Sequence, residues 1–225
     1  MSKTILILDD VIDDTTYIDE LYDIFVHQNI NIPIRPPNFI YKNDLNCCEK
    51  YSDIDNILRD IIYEIWMQKA HFLIKDRMNE LVGFECWNNN LPNEQLTNVS
   101  LAGGNAGLNY HLDKDEVAAK NGELHLPMFA TAFYIGPKEG LNGGELYVNT
   151  KGIEHYENYS GGLVDYKDDN SWLKIPYKYN RVVIFDATCP HFVMPVVVAP
   201  LNQKRCSVAI NAWNRDLGIY SNENN

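Results

Sequence analysis

Cysteine is scarce in this chain and badly placed for cross-linking. There are five in 225 residues, an odd number, and Cys47 and Cys48 are neighbours. That suits a disulfide framework poorly. No Cys-x-x-Cys pair occurs, so a structural zinc cluster of that kind is not expected. Positive charge is also short. Lys and Arg number 19 against 31 Asp and Glu, a net charge of −12. Such a balance argues against nucleic acid, whose phosphates need a basic footprint, and against an anionic membrane surface. It fits an acidic coat on a soluble protein, or steering of a cationic substrate. No apolar run approaches the roughly 20 residues that span a bilayer. The run Ile5-Leu6-Ile7-Leu8 is too short for a signal peptide, and acids follow it directly, so a cytoplasmic protein is expected. Residues 102–107 are glycine-rich but lack the Lys-Ser/Thr of a phosphate loop. They read as a turn.

What is present is ordinary globular composition: 45% hydrophobic and 22% charged residues. The length suits one well-buried core, read as a single domain over 1–225. Asp13 to Thr16 offers cap chemistry for a helix carrying Ile18, Leu21, Tyr22 and Phe25. Ile54, Ile57, Leu58, Ile61, Ile62, Ile65 and Trp66 recur at threes and fours, which predicts a second amphipathic helix. Ser52 to Asp55 resembles its capping box. From residue 84 the pattern becomes strand-like. Segments 129–135, 145–148, 181–185 and 206–212 read as strands, and Asn88-Asn89-Asn90 reads as a turn. The expectation is α+β and β-rich. Residues 1–83 are mostly helical support, and 84–214 form a jelly roll, or double-stranded β-helix.

His111 and Asp113 lie two apart, so on a strand they point to the same face. An imidazole nitrogen and a carboxylate oxygen then aim at one point. The apolar segment Arg181 to Phe185 leads through Pro190 to His191, which supplies a third donor. Two histidines and one carboxylate on one face of a metal is the donor set of non-haem Fe(II) oxygenases. Arg205 and Ser207, again two apart, open another strand.

His-x-Asp, a distal His, and Arg-x-Ser about a dozen residues on together resemble the Fe(II)- and 2-oxoglutarate-dependent oxygenases. Tyr134-Ile-Gly-Pro followed by Gly143-Gly144-Glu145-Leu146 is similar to a strand pair of the prolyl-hydroxylase-like branch. The resemblance covers roughly residues 84 to 214. It implies Fe(II) held by His111, Asp113 and His191, and 2-oxoglutarate as cosubstrate. The far carboxylate of 2-oxoglutarate would be held by Arg205, Ser207 and Tyr134. Arg suits that task because its guanidinium pairs bidentately with a carboxylate. Arg181 is the reserve for the same role. O₂ would be consumed, with succinate and CO₂ as co-products. The acid at Asp113 favours hydroxylation over halogenation, since related halogenases carry a small residue there. Lys114, Glu116, Trp87 and Asn211 are candidate substrate contacts, and the polar insert 152–174 is a candidate lid.

The implied activity is hydroxylation of an unactivated C–H of a small molecule, such as an amino acid or specialised metabolite. The same chemistry on a peptide or protein side chain is the alternative. A cupin-like metal-binding module without oxygenase activity is the third reading, and His-x-Asp in place of the usual cupin His-x-His weakens it.

Overall fold

The computed structural model describes residues 3–32, 39–46, 53–92, 108–159, 164, 166 and 170–217. Their elements run β1 (Ile5–Leu8), α1 (Thr16–Tyr22), β2 (Phe39–Tyr41), α2 (Asp53–Ile62), α3 (His71–Ile74), β3 (Gly83–Leu91), β4 (Leu108–His111), α4 (Glu116–Lys120), β5 (Phe129–Gly136), β6 (Asn142–Gly143), β7 (Leu146–Asn149), α5 (Ile153–Glu157), β8 (Trp172–Ile175), β9 (Arg181–Asp186), β10 (His191–Val193), β11 (Val196–Val198) and β12 (Arg205–Trp213). The six-stranded sheet has the order β1-β9-β5-β12-β3-β2 and the four-stranded sheet β4-β10-β7-β8. The small pair β11-β6 forms a third sheet. Every one of these pairings is antiparallel.

Period-2 alternation sorts each strand of the large sheet into two faces. Val182 and Ile184 of β9, Phe133 and Ile135 of β5, Cys206, Val208 and Ile210 of β12, and Phe84 and Cys86 of β3 share one apolar cluster with the helices. From α1 come Ile18 and Leu21. From α2 and its wider continuation Tyr63–Lys69 come Ile57, Leu58, Ile61, Ile62, Ile65 and Trp66. The N-terminal helices therefore brace the outer face of the large sheet. The other face of those strands meets the small sheet. Val183, Phe185, Ala130 and Tyr134 pack there with Leu146, Val148 and Val193. Arg205, Ser207, Ala209 and Asn211 alternate onto this inner face, which is what brings polar groups into the interior.

Four sequence expectations meet a correction or a limit here. Asn88-Asn89-Asn90 is not a turn, because β3 runs through it to Leu91. The outward amides replace the packing that apolar residues would give. Asn88 Oδ1 accepts from Ile32 N at 2.8 Å, Asn88 Nδ2 donates to Asn31 Oδ1 at 2.9 Å, and Asn90 Nδ2 donates to the Phe25 carbonyl at 3.0 Å. They sew the strand to the end of the first helical segment. The described aromatic residues of the insert lie away from the inner face. Tyr156, Tyr159, Tyr166 and Trp172 pack with Tyr110, Tyr147 and Phe192. Those last three alternate onto the outer face of the small sheet. Ser52 and the 102–107 turn lie outside the described residues. No helix among the described residues is long and apolar enough to cross a membrane.

Candidate active site

β10 lies between β4 and β7 in the small sheet, and its register sets His191 directly opposite His111. The turn before β10 is built to deliver that residue. Asp186 Oδ1 accepts from the backbone N–H of Thr188 at 2.9 Å, and Cys189 N donates back to the Asp186 carbonyl. Asn149 N then donates to the Pro190 carbonyl at 2.9 Å. Asp113 follows β4, two residues beyond His111.

The donor atoms of His111, Asp113 and His191 lie within 4.8 Å of one another. Asp113 Oδ1 is 3.4 Å from His111 Nε2 and 3.8 Å from His191 Nε2. Each imidazole turns its Nδ1 toward a backbone carbonyl two residues upstream, Asn109 for His111 and Cys189 for His191. Such partners fix ring orientation and leave Nε2 for a metal. The remaining Asp113 oxygen, Oδ2, accepts from Asn211 Nδ2 at 2.9 Å.

The charges suit a cation. Burial penalises the charged form of Asp113. The positive charge that His191 and His111 can carry, with the hydrogen bonds from His111 and Asn211, outweighs it and holds the carboxyl well below its usual range. Burial, aided by the charge of His111, depresses His191 to about 4, so it is neutral at pH 7 as a ligand must be. Burial also works against protonated His111, but its pairing with Asp113 prevails and raises its pKa. A divalent ion would take the place of that proton.

Arg205 is 1% exposed, and among the described residues no carboxylate pairs with it. Its Nε donates to the Gly144 carbonyl at 2.8 Å and its Nη1 to Ser207 Oγ at 3.2 Å. Its guanidinium lies 4.9 Å from the centre of the Tyr134 ring. The Tyr134 hydroxyl is buried and has no hydrogen-bond partner among the described residues, and the same holds for Thr131 Oγ1. A buried charge and buried hydroxyls without partners are costly, so this corner is shaped for an anion. A cavity of about 80 Å³ connects Arg205, Ser207 and Thr131 to the three donors. The Gly-Gly pair explains the close approach. Gly144 has φ +72°, and a Cβ there would sit 2.5 Å from Arg205 Cδ.

The other named residues divide. Trp87 lines this cavity and an outer one of about 200 Å³ that also opens on His111 and Asp113. Lys114 and Glu116 line the outer cavity and face each other at 3.5 Å. Asn211 is fully buried behind Asp113, and its Oδ1 accepts from Thr131 N at 2.8 Å. Arg181 is engaged elsewhere, bidentately on Asp9 at 2.6 and 3.0 Å, and that bond pulls Asp9 down to about 2. Sequence reasoning missed Glu85, which also lines the outer cavity. The available signal was its place two residues before Trp87 on one strand face. Burial and the charge of Asp113 push Glu85 up to about 8, although Trp213 donates to it.

No protein-family model matches the chain, and no curated protein does. Solved structures do match. A Pseudomonas putida prolyl-4-hydroxylase is 13% identical, with a TM-score of 0.54 over 95% of this chain and 86% of that one. EvdO2 from Micromonospora carbonacea var. aurantiaca, complexed with 2-oxoglutarate, is 14% identical, with a TM-score of 0.54 over 94% and 86%. A prolyl hydroxylase from Trichoplax adhaerens, in complex with a hypoxia inducible factor peptide fragment, is 14% identical, with a TM-score of 0.51 over 93% and 83%. The chain shares the β-rich jelly-roll fold of these proteins.

Proposed function

We propose that this chain is a non-haem Fe(II)- and 2-oxoglutarate-dependent dioxygenase that hydroxylates an unactivated C–H of a small molecule, such as an amino acid or specialised metabolite. The observation that carries this reading is the pairing of two half-sites in one cavity. One is a convergent His111, Asp113, His191 donor set. The other is a buried Arg205 that no carboxylate faces among the described residues. A donor set alone would fit many metalloproteins. A buried cation beside it that lacks an anion fits a cosubstrate with a carboxylate at its far end.

The residues present fit both groups. Neutral His191, His111 freed of its proton and ionised Asp113 would hold Fe(II), the preferred ion for this mixed nitrogen and oxygen set. The iron would supply oxygen activation coupled to decarboxylation of 2-oxoglutarate to succinate and CO₂. The chain's own work is placement. Arg205 would pair with the distal carboxylate, and Ser207 and the Tyr134 hydroxyl would donate to it. Asn211 holds Asp113 Oδ2, which leaves Oδ1 toward His111 and His191. Leu108, Leu146, Phe185 and Val193 give the same cavity apolar walls. EvdO2 complexed with 2-oxoglutarate lends support through the shared fold.

The second reading is the same chemistry on a peptide or protein side chain. The Trichoplax prolyl hydroxylase, complexed with a peptide fragment, favours it. With either reading go a single domain over 1–225, a cytoplasmic location, and no nucleic-acid or membrane partner.

The test is succinate release by the Fe(II)-loaded protein over a panel of amino acids and short peptides. Substrate-stimulated succinate that needs Fe(II), 2-oxoglutarate and O₂ is the expected result. A modified amino acid supports the first reading and a modified peptide the second. Turnover surviving in His191→Ala sinks both.

A further inference from the structure

The outer cavity beside the metal donors has a wall that the proposed chemistry does not use. It is lined by Glu85, Trp87, Lys114 and Glu116, with the apolar Leu112 and Leu217. Its one lysine already faces an acid, since Lys114 Nζ lies 3.5 Å from Glu116 Oε1. Asp115 is also tied down, because its Oδ1 accepts from the backbone N–H groups of Val117 and Ala118 and so caps α4. That leaves Glu85. It stands on the inner face of β3, directly opposite Asn211 of β12, whose amide holds Asp113. Its Oε2 accepts from Trp213 Nε1 at 3.1 Å. Among the described residues no cation pairs with it.

An ionised carboxyl on the wall of a reaction cavity, without a cation, is costly in the free protein, and that cost favours its protonated form. A ligand's positive charge would relieve that cost, and it would also favour the ionised form of the carboxylate. The indole of Trp87 lies alongside on the same strand face, and aromatic faces attract cations. A net charge of −12 draws positive solutes toward the molecule.

We infer that Glu85 is a specificity-determining residue that anchors a basic group of the substrate, an ammonium or a guanidinium. The inference rests on the oxygenase reading for the location of the reacting carbon, which lies between that anchor and the three metal donors. It narrows the substrate class to molecules with a fixed positive charge near the oxidised position: a basic amino acid, its amine derivative, or a basic side chain in a peptide.

The experiment compares basic probes with neutral isosteres. L-Lysine is set against L-norleucine and L-arginine against L-citrulline, both free and at the centre of end-blocked pentapeptides; the free pairs share an α-ammonium, so each contrast reads the side-chain charge. Binding is measured by calorimetry to the Mn(II)-loaded protein with 2-oxoglutarate, so no turnover is needed. The expected result is that at least one basic probe binds roughly ten- to a hundredfold more tightly than its isostere. Glu85→Gln, which still accepts from Trp213, should erase that preference while leaving 2-oxoglutarate binding in place. Neutral isosteres that bind as well as their basic partners in every pair overturn the inference, as does the absence of binding by every basic probe. A preference that survives in Glu85→Gln overturns it too. The isostere comparison on the unaltered chain decides the matter even if the variant fails to fold. Failure of the oxygenase reading shows separately, as loss of 2-oxoglutarate binding by the metal-loaded protein.

Discussion

Replacing Asn211 by Ala separates a sheet clip from a metal-site support. The side chain makes two buried hydrogen bonds. Its Nδ2 donates to Asp113 Oδ2 at 2.9 Å, and its Oδ1 accepts from Thr131 N at 2.8 Å. The first is charge-assisted, a class worth about 1.5–3 kcal/mol. Loss of the second strands a buried backbone N–H, at about 1–3 kcal/mol. Together the two losses predict about 2.5–6 kcal/mol less folding stability, read from urea unfolding of the metal-free protein. They also predict a second effect. Without Asn211, Asp113 is free to rotate, so metal affinity should fall roughly 10- to 100-fold, the usual consequence of removing a ligand's supporting partner. Anaerobic calorimetric titration with Fe(II) measures it. Unfolding at lower urea with unchanged metal affinity refutes the support role and leaves Asn211 as a clip for β5.

Three further outcomes follow from the same geometry. Gly144→Ala forces a left-handed residue to carry a Cβ that meets the Arg205 stem at 2.5 Å. It should weaken 2-oxoglutarate binding at least about tenfold with Fe(II) affinity unchanged, both read by titration. Arg205→Ala should raise the 2-oxoglutarate concentration needed for half-maximal succinate release by roughly a hundredfold, again without loss of metal. Trp66 is fully buried between Phe84 and Phe129, and its indole N–H has no partner among the described residues. Trp66→Ala should therefore cost about 3–5 kcal/mol in urea unfolding. Trp66→Phe should cost less than half as much, because it discards an unsatisfied donor along with the volume.

The site's skeleton was legible in the chain because strand periodicity is simple. His111 with Asp113, and Arg205 with Ser207, sit two apart and so share faces whatever the fold around them. The amphipathic pattern from Ile54 to Trp66 likewise marked the helix that braces the large sheet. What escaped depends on cross-strand register, which no local pattern carries. Asn211 reads as a candidate substrate contact until β12 is set against β5 and the Asp113 turn. Glu85 is one acid among many until β3 is paired with β12. Asn88 to Asn90 look like a turn because their compensation comes from distant groups, Phe25, Asn31 and Ile32. The insert 152–174 reads as a lid from polarity alone. Its tyrosines and Trp172 instead pack over the outer face of the small sheet.

The most direct measurement is an anaerobic titration of the metal-free protein with Fe(II) and 2-oxoglutarate, watched for the weak visible absorption of a 2-oxo acid chelated to ferrous iron. The absorption should grow to one equivalent in the unaltered chain and be absent in His111→Ala and His191→Ala. Its absence in the unaltered chain, or its persistence in His191→Ala, would contradict convergence of these three side chains on one iron.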